Sequence, residues 1–166
     1  MSTLVVDSIT HPLINEDVPI SELKQRVIKT ARSHYRSGVW DPGDSYAWLP
    51  GGYIDYAPAS STSKIRFQIN ISFAHLDGHA ISHAIFYVNG TEEGRHSISG
   101  QSPEHRHLYM WDFDSWGTNS GRIGYQVRRY GSGNRPRYNS TRHWNGSGSY
   151  QSAQTEIIIE EYIPIS

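Results

Sequence analysis

The chain has 166 residues and a mass of 18.8 kDa, a size that fits one domain with at most a short extension. It contains no cysteine, which excludes disulfides, thiol nucleophiles, zinc ribbons and iron–sulfur clusters. No apolar run is long enough to span a bilayer, so we expect no membrane partner. The formal charge is −1 and aromatic residues reach 12%, while most of the polarity comes from Ser, Thr, Asn, Gly, Tyr and Arg. This composition is typical of an all-β surface protein.

The first 22 residues differ in character from the rest of the chain. The sequence LVVDSI predicts a short apolar strand, and a stretch punctuated by Pro12 and Pro19 follows it. Two interpretations remain open. Residues 1–22 are either the first strand of the main domain or an extended arm that docks on another subunit by adding a strand. In the second case the apolar side chains of the arm are Leu4, Val5, Val6 and Ile9.

Strand signals dominate the next part of the chain. Residues 25–36 are β-leaning and lack helical periodicity, so they predict a strand. The sequences DPGDSY and PGGY predict turns on either side of a short strand at Tyr46–Leu49. Ser63–Ala74 alternates apolar and polar residues throughout, which predicts a half-buried strand with one face toward water.

An Asn-Gly pair at positions 89–90 predicts a two-residue β-hairpin. Residues 80–88 form the strand that enters it, and Gly94–Ile98 the strand that returns. Further strands are predicted at residues 107–113, 122–130, 138–144 and 154–162. Strands at intervals of about 8–15 residues, with Gly-rich turns and no convincing helix, predict an all-β sandwich or jelly roll over residues 23–166.

The charge is distributed unevenly. No Asp or Glu occurs between Asp114 and Glu156, and this stretch carries six arginines interleaved with Tyr and Trp. Arginines interleaved with aromatic residues are typical of surfaces that bind single-stranded nucleic acid. Proteins bind nucleic acid largely by neutralising its phosphates with positive charge. Because the total charge of this chain is close to zero, we expect no nucleic-acid partner. Packing between subunits or stacking on sugars uses the same residue types.

The nine histidines suggest a metal site only at first sight. His75, His79 and His83 are evenly spaced, and His105 and His107 form an HxH pair that could share a metal on one strand face. No carboxylate accompanies them at ligand spacing. We therefore expect no metal site.

Signals for catalysis are equally weak. Asp112 and Asp114 lie beside Trp111 and Trp116, as in a carbohydrate cleft, but two acids on one strand face point the same way and do not flank a glycosidic bond. The sequence has no nucleophile elbow, phosphate loop or dinucleotide fingerprint. We expect no catalytic residue, no cofactor and no enzyme activity.

Several motifs, taken in order, resemble a known group of proteins. STLVVDSIT resembles the "T-L-x-V-D-x-I" start of phage fibre and appendage proteins, and YIDYAPASSTSKIRFQINISF resembles their "I-x-Y-x-P-x-S-x-x-S-K-I" strand entry. HAIFYVNG, the W…S…YQVR…Y run and HWNG…Q…TEIIIEE resemble the remaining strands. Over nearly its whole length the chain is therefore similar to small β-rich virion proteins and fibre-tip modules of tailed bacteriophages, including marine phages and cyanophages.

This resemblance implies a jelly roll similar to tumour-necrosis-factor-like heads, which assembles as a homotrimer and has a structural or adhesive role without enzyme activity. The excess of aromatic residues and Arg over the needs of one small core also favours contacts between subunits. The candidate interface residues are Trp111, Trp116, Tyr125, Arg128, Tyr130 and Trp144.

The sequence lacks the heptads or repeated segments of a fibre shaft. This absence favours a capsid decoration (cement) protein on the virion surface, attached to the major capsid protein or a tail protein. Leu4, Val5, Val6 and Ile9 would then be the particle-anchoring residues. The alternative is a tail-fibre or receptor-binding tip that recognises host surface glycans, and a free lectin or enzyme is a third class.

Overall fold

The computed structural model describes residues 8–10, 17–19, 25–35, 38–75, 80–100, 105–131, 136–142, 150–152 and 154–164. All regular elements in these ranges are β-strands, so none of them contains a helix able to cross a membrane. In chain order the strands are β1 (Ser8–Thr10), β2 (Asp17–Pro19), β3 (Gln25–Tyr35), β4 (Ala47–Tyr56), β5 (Lys64–His75), β6 (Ala80–Val88), β7 (Thr91–Gly100), β8 (His105–Asp114), β9 (Gly121–Arg129), β10 (Pro136–Tyr138), β11 (Ser140–Arg142), β12 (Tyr150–Ser152) and β13 (Thr155–Pro164).

Eight long strands form two antiparallel sheets. In the first sheet β5 lies between β8 and β13, and β13 pairs with β3 on its other side. The second sheet has the order β4-β9-β6-β7. The chain passes back and forth between the sheets, and its first and last long strands, β3 and β13, are neighbours. The short strand β10 also pairs with β5, so the first sheet has five strands and the second has four. Two sheets linked in this way form a jelly roll, which confirms the predicted all-β class.

Strand β5 shows why the sequence folds this way. Its apolar positions are fully buried and point toward the second sheet, whereas Arg66 and Gln68 point outward and are half-buried. The buried residues are Ile65, Phe67, Ile69, Ile71 and Phe73. Period-2 alternation of this kind requires one covered face and one wet face. The prediction for residues 63–74 is confirmed.

Aromatic rings fill the space between the sheets. Phe86 of β6 stacks on Trp111 of β8 with ring centroids 4.7 Å apart, and its ring lies 5.2 Å from both Phe67 and Tyr125. The indole Nε1 of Trp111 donates a 2.6 Å hydrogen bond to the hydroxyl of Tyr125. Buried aromatic rings stabilise a core through the apolar area that they remove from water and through the orientation of one ring against another. Their N–H and O–H groups need hydrogen-bond partners when they are buried.

The predicted hairpin at Asn89-Gly90 is confirmed. Asn89 has φ of 48° and Gly90 has φ of 85°, as a type I′ turn requires, and Val88 pairs with Thr91 across it. Of the two strands of the hairpin, β7 is an edge strand of the second sheet and β6 lies between β7 and β9.

The prediction of a turn at PGGY is wrong. These residues lie inside β4, where the pairing with β9 shifts register between Trp48 and Tyr53. Gly51 has φ of +74°, and a Cβ there would lie 2.1 Å from the Cβ of Tyr35. The glycines therefore allow a bulge in a continuous strand and a close approach to β3.

The single strand predicted at residues 138–144 is also wrong. Two short strands occupy this region: β10 pairs with the end of β5, and β11 pairs with β12 in a separate two-stranded sheet. Asn139 lies between them with φ of 56°, a conformation that interrupts a strand.

Residues 8–10 and 17–19 form a small sheet of their own. Strand β1 pairs antiparallel with β2, with Ile9 opposite Val18. Leu4, Val5 and Val6 lie outside the described residues, so the predicted arm is described only at this short pairing.

A buried carboxylate fixes the loop between β4 and β5. Glu161 of β13 is fully buried and accepts hydrogen bonds from the hydroxyls of Tyr56 and Ser63 and from the backbone N–H groups of Ala59 and Ser60. One side chain thus joins the last long strand to the loop of residues 57–63.

Candidate functional site

The outer face of the second sheet carries a row of polar side chains. Strand pairing places His83 of β6 opposite both Arg128 of β9 and Ser97 of β7. The neighbouring residues Ala84 and Val127 are buried in the core, so the row lies on the opposite face. Tyr46, which immediately precedes β4, extends the row on the far side of Arg128.

These side chains border a groove of about 450 Å³. Its lining residues are Tyr46, His83, Ala84, Arg95, His96, Ser97 and Arg128, and we call it the outer groove. This volume falls within the range of about 300–1,000 Å³ that is typical of small-ligand sites.

Arg128 is the central cation of the outer groove. Its Nη2 lies 3.1 Å from Nδ1 of His83, and its guanidinium carbon lies 5.2 Å from the ring centroid of Tyr46. Since Arg can only donate, His83 accepts through Nδ1. The Nε of Arg128 is buried and has no hydrogen-bond partner among the described residues.

Other arginines of the sandwich are paired differently. Four of them bind a carboxylate side-on through Nε and Nη2: Arg66 with Asp112, Arg95 with Glu92, Arg122 with Asp55 and Arg129 with Asp44. Within the part of the chain that the structure describes, Arg128 forms no ion pair with a carboxylate.

Two neighbouring acids are already engaged. Hydrogen bonding to Arg129 lowers the pKa of Asp44, and the charge of Arg128 adds a smaller effect in the same direction. Hydrogen bonding to Arg95 likewise lowers the pKa of Glu92. Both acids are therefore ionised and bound to other guanidinium groups at neutral pH, which leaves the outer groove with an excess of positive charge around Arg128.

An exposed ring packs against His83, one of the residues that line the groove. Tyr130, which directly follows β9, is 58% exposed, and its ring contacts His83 edge-on with centroids 5.2 Å apart. An exposed aromatic face next to a polar groove provides a surface on which the apolar face of a ligand can pack.

A second aromatic cluster lies farther along the same sheet. Trp48 packs between Tyr53 and Tyr87, at centroid distances of 5.4 and 5.8 Å. Arg122 covers this cluster, 4.4 Å from the centroid of Tyr53, and is itself bound to Asp55. These rings are occupied by one another and by Arg122, so the outer groove is the better candidate site.

The predicted interface residues separate into three groups. Trp111 and Tyr125 are hydrogen-bonded to each other, Tyr125 is fully buried in the core of its own chain, and Trp111 packs against that core. Trp116 packs on Phe113 and Tyr56. Arg128 lines the outer groove, and Tyr130 contacts its lining residue His83. Trp144 lies outside the described residues.

The two acids singled out in the sequence have structural partners. Asp112 and Asp114 lie on the outer face of the first sheet, bound to Arg66 and Lys64. The ring centroids of His96 and Tyr109 lie 4.5 Å apart. Burial lowers the pKa of His96, and the nearby His107 adds a smaller effect in the same direction. Within the described ranges no three His, Asp or Glu side chains lie close enough together to hold a metal ion.

Sequence reasoning missed the outer groove because it treated His83 as a possible ligand and Arg128 as an interface residue. The two are 45 residues apart, and only the register of β6 with β9 brings them together. The charge pattern was the one available signal, since the segment that contains Arg128 carries six arginines and no Asp or Glu.

Comparison with known proteins gives limited information. No family model matches the chain, and no curated protein sequence matches it. Among solved structures, the VP2 subviral particle of infectious bursal disease virus matches 99% of this chain and 46% of its own, with 13% identity and a TM-score of 0.38. The Gx strain structure of the same virus matches 99% of this chain and 47% of its own, with 8% identity and a TM-score of 0.38. The chain thus spans less than half the length of these proteins, and the jelly-roll assignment rests on its own strand order.

Proposed function

We propose that the chain is a non-enzymatic structural protein of a tailed-phage virion, a homotrimeric capsid decoration protein anchored by residues 1–22. The observation that carries this proposal is the jelly-roll order of the two sheets. Jelly rolls are a common module of virion proteins, since closely packed double sheets give a rigid block that can be placed on a particle.

The sequence motifs that resemble phage proteins support the same conclusion. SKIRFQINISF corresponds to β5, HAIFYVNG to β6 and its hairpin, and TEIIIEE to β13. They form the central pair of the first sheet and an inner strand of the second. The resemblance thus concerns strands that define the fold and not peripheral loops.

The short strands β1 and β2 support an anchoring role for residues 1–22. Strands β1 and β2 have three residues each, and an isolated two-stranded sheet is at best marginally stable in water. Docking Leu4, Val5, Val6 and Ile9 on a partner sheet would contribute about 1.5–3 kcal/mol for each fully buried side chain. Ordering of the segment costs about 1–2 kcal/mol per residue, so docking requires most of these contacts together.

Copy number in purified virions tests the proposal. A decoration protein follows the symmetry of the shell, so we expect on the order of hundreds of copies per particle by quantitative mass spectrometry. A few dozen copies would instead indicate a tail component, and complete absence from virions would contradict both.

A second candidate function is supported by the outer groove. A tail-fibre tip that recognises host surface glycans would need a polar groove beside an exposed ring, and Arg128, His83 and Tyr130 provide this arrangement. Binding of the protein to host cells or host glycans, together with a low copy number, would favour this function over decoration.

A further inference from the structure

We propose that the outer groove binds the carboxylate of an acidic saccharide and that Arg128 is its anchoring residue. This inference rests on the second candidate function and names the chemical class of glycan that the site selects.

The guanidinium of Arg128 has one N–H donor that forms no hydrogen bond with the described residues. Its Nε is buried without a partner among the described residues, and a buried donor that lacks a hydrogen bond is destabilising. Four other arginines of this sandwich use Nε together with Nη2 to bind a carboxylate. In Arg128 the hydrogen-bond partner of the same Nη2 among the described residues is Nδ1 of His83, at 3.1 Å. A carboxylate that replaced His83 on this edge would accept from both atoms, which is the stronger arrangement.

The number of available cations favours a ligand with an isolated carboxylate. Arg95 lines the groove as well, but Glu92 holds it with bonds of 2.5 and 2.9 Å. One guanidinium without a carboxylate suits one acidic group per ligand unit. An acidic peptide or a nucleic acid would present an array of charges that the groove does not match.

The remaining lining suits a sugar ring. The hydroxyl of Ser97 and the imidazole of His83 offer hydrogen bonds on one side, and the exposed ring of Tyr130 lies next to His83. Sugars have both hydroxyl groups and apolar C–H faces, so a site for them combines polar side chains with an aromatic surface.

Calorimetric titration of the full-length protein tests this inference. The probes are a trisaccharide of two galactose units and one galacturonic acid, the neutral galactose trisaccharide and a glutamate-rich peptide. We expect measurable affinity for the acidic trisaccharide only. Arg128→Gln and Arg128→Lys should both weaken it, by about 10-fold to 100-fold, because Lys keeps the charge but cannot bind a carboxylate side-on. The matched control Arg32→Gln removes an exposed arginine of the first sheet and should leave affinity unchanged.

A second pair of variants keeps Arg128 intact. Ser97→Glu places a carboxylate in the outer groove and should abolish binding by occupying Arg128, whereas Ser99→Glu adds the same charge two residues along β7 and should not. Equal effects of the two changes would contradict a site at Arg128. Circular dichroism and thermal melts identify any variant that fails to fold.

The outcomes separate the two proposals. If only the neutral trisaccharide binds and Arg128→Gln has no effect, the ligand class is wrong while glycan recognition stands. If neither trisaccharide binds at millimolar concentration, the inference fails along with the second candidate function. Binding of the glutamate-rich peptide alone would overturn the inference in favour of a protein partner.

Discussion

The hydroxyl of Tyr56 donates a 2.7 Å hydrogen bond to the carboxylate of Glu161, which lies 105 residues later in the chain. The same carboxylate accepts a 2.5 Å bond from the hydroxyl of Ser63 and bonds of 2.9 and 3.0 Å from the N–H groups of Ala59 and Ser60. A single buried acid thus holds the β4–β5 loop against the last long strand, and no apolar residue could satisfy those four donors.

We predict that Glu161→Gln lowers the free energy of unfolding by about 2–4 kcal/mol, since an amide cannot accept from all four donors and its own NH₂ opposes some of them. Chemical denaturation measures the change. The matched control Glu160→Gln alters the adjacent residue, which lies on the opposite face, and should change the stability by less than about 0.5 kcal/mol. Equal effects of both substitutions would mean that the buried network contributes nothing specific.

The same network predicts a pH dependence. Burial would raise the pKa of Glu161, but hydrogen bonds from Ser63, Ala59, Tyr56 and Ser60 outweigh it and hold the pKa below the ordinary 4.5. The unfolded chain therefore binds this proton more readily than the folded one. The stabilisation is present above about pH 4.5 and is lost as pH falls through the lower folded-state pKa. The stability difference between wild type and Glu161→Gln should shrink below this pH, and a difference that stays constant down to pH 2 would contradict the assignment.

We predict that Tyr125→Phe destabilises the fold by about 1–2 kcal/mol, because the indole N–H of Trp111 loses its acceptor inside the core. Tyr130→Phe removes a hydroxyl from an exposed ring and should be nearly neutral. Urea unfolding followed by tryptophan fluorescence measures both. A neutral Tyr125→Phe would show that the Trp111 N–H finds another partner.

Gly124→Ala should prevent folding or cost several kcal/mol. Gly124 has φ of +149°, and a Cβ there would lie 2.3 Å from the carbonyl oxygen of Gly52 and 2.5 Å from the Cα of Tyr53. Gly43→Ala is the matched control, since a Cβ at Gly43 meets no atom within 4 Å. Thermal melts of the two variants provide the comparison, and similar melting temperatures would contradict the close approach of β4 and β9.

The proposed homotrimer has a direct test in solution. Analytical ultracentrifugation at micromolar concentration should give a species of three times the 18.8 kDa chain mass. A single species of 18.8 kDa would contradict the trimer. The residues predicted to form a subunit interface would then have no subunit to contact.

Local patterns in the amino-acid sequence predicted much of this fold. The alternation of Ser63–Ala74 and the Asn89-Gly90 pair specify a strand and a turn through neighbouring residues alone, and the structure confirms both. Features that depend on distant partners were not predictable in this way. The PGGY segment reads as a turn by composition, but its pairing with β9 and its packing against Tyr35 make it part of a strand.

The candidate site was harder to predict from the sequence than the fold was. An aromatic and Arg excess suggested subunit contacts, yet Trp111 and Tyr125 are used by the core of their own chain. Which arginines bind a carboxylate depends on strand register, because pairs such as Arg129–Asp44 and Arg66–Asp112 join residues far apart in the chain. A sequence shows the number of charges but not which of them neutralise one another.

The attachment of a truncated protein to its particle tests the central proposal most directly. Protein lacking residues 1–20 and full-length protein are each mixed with virions stripped of the chain, and co-sedimentation is measured alongside circular dichroism and ultracentrifugation. We expect the truncated protein to remain a folded trimer and to lose attachment, while full-length protein binds. Attachment that survives the truncation would contradict anchoring by residues 1–22, and unfolding of the truncated protein would show that this segment belongs to the core of the jelly roll.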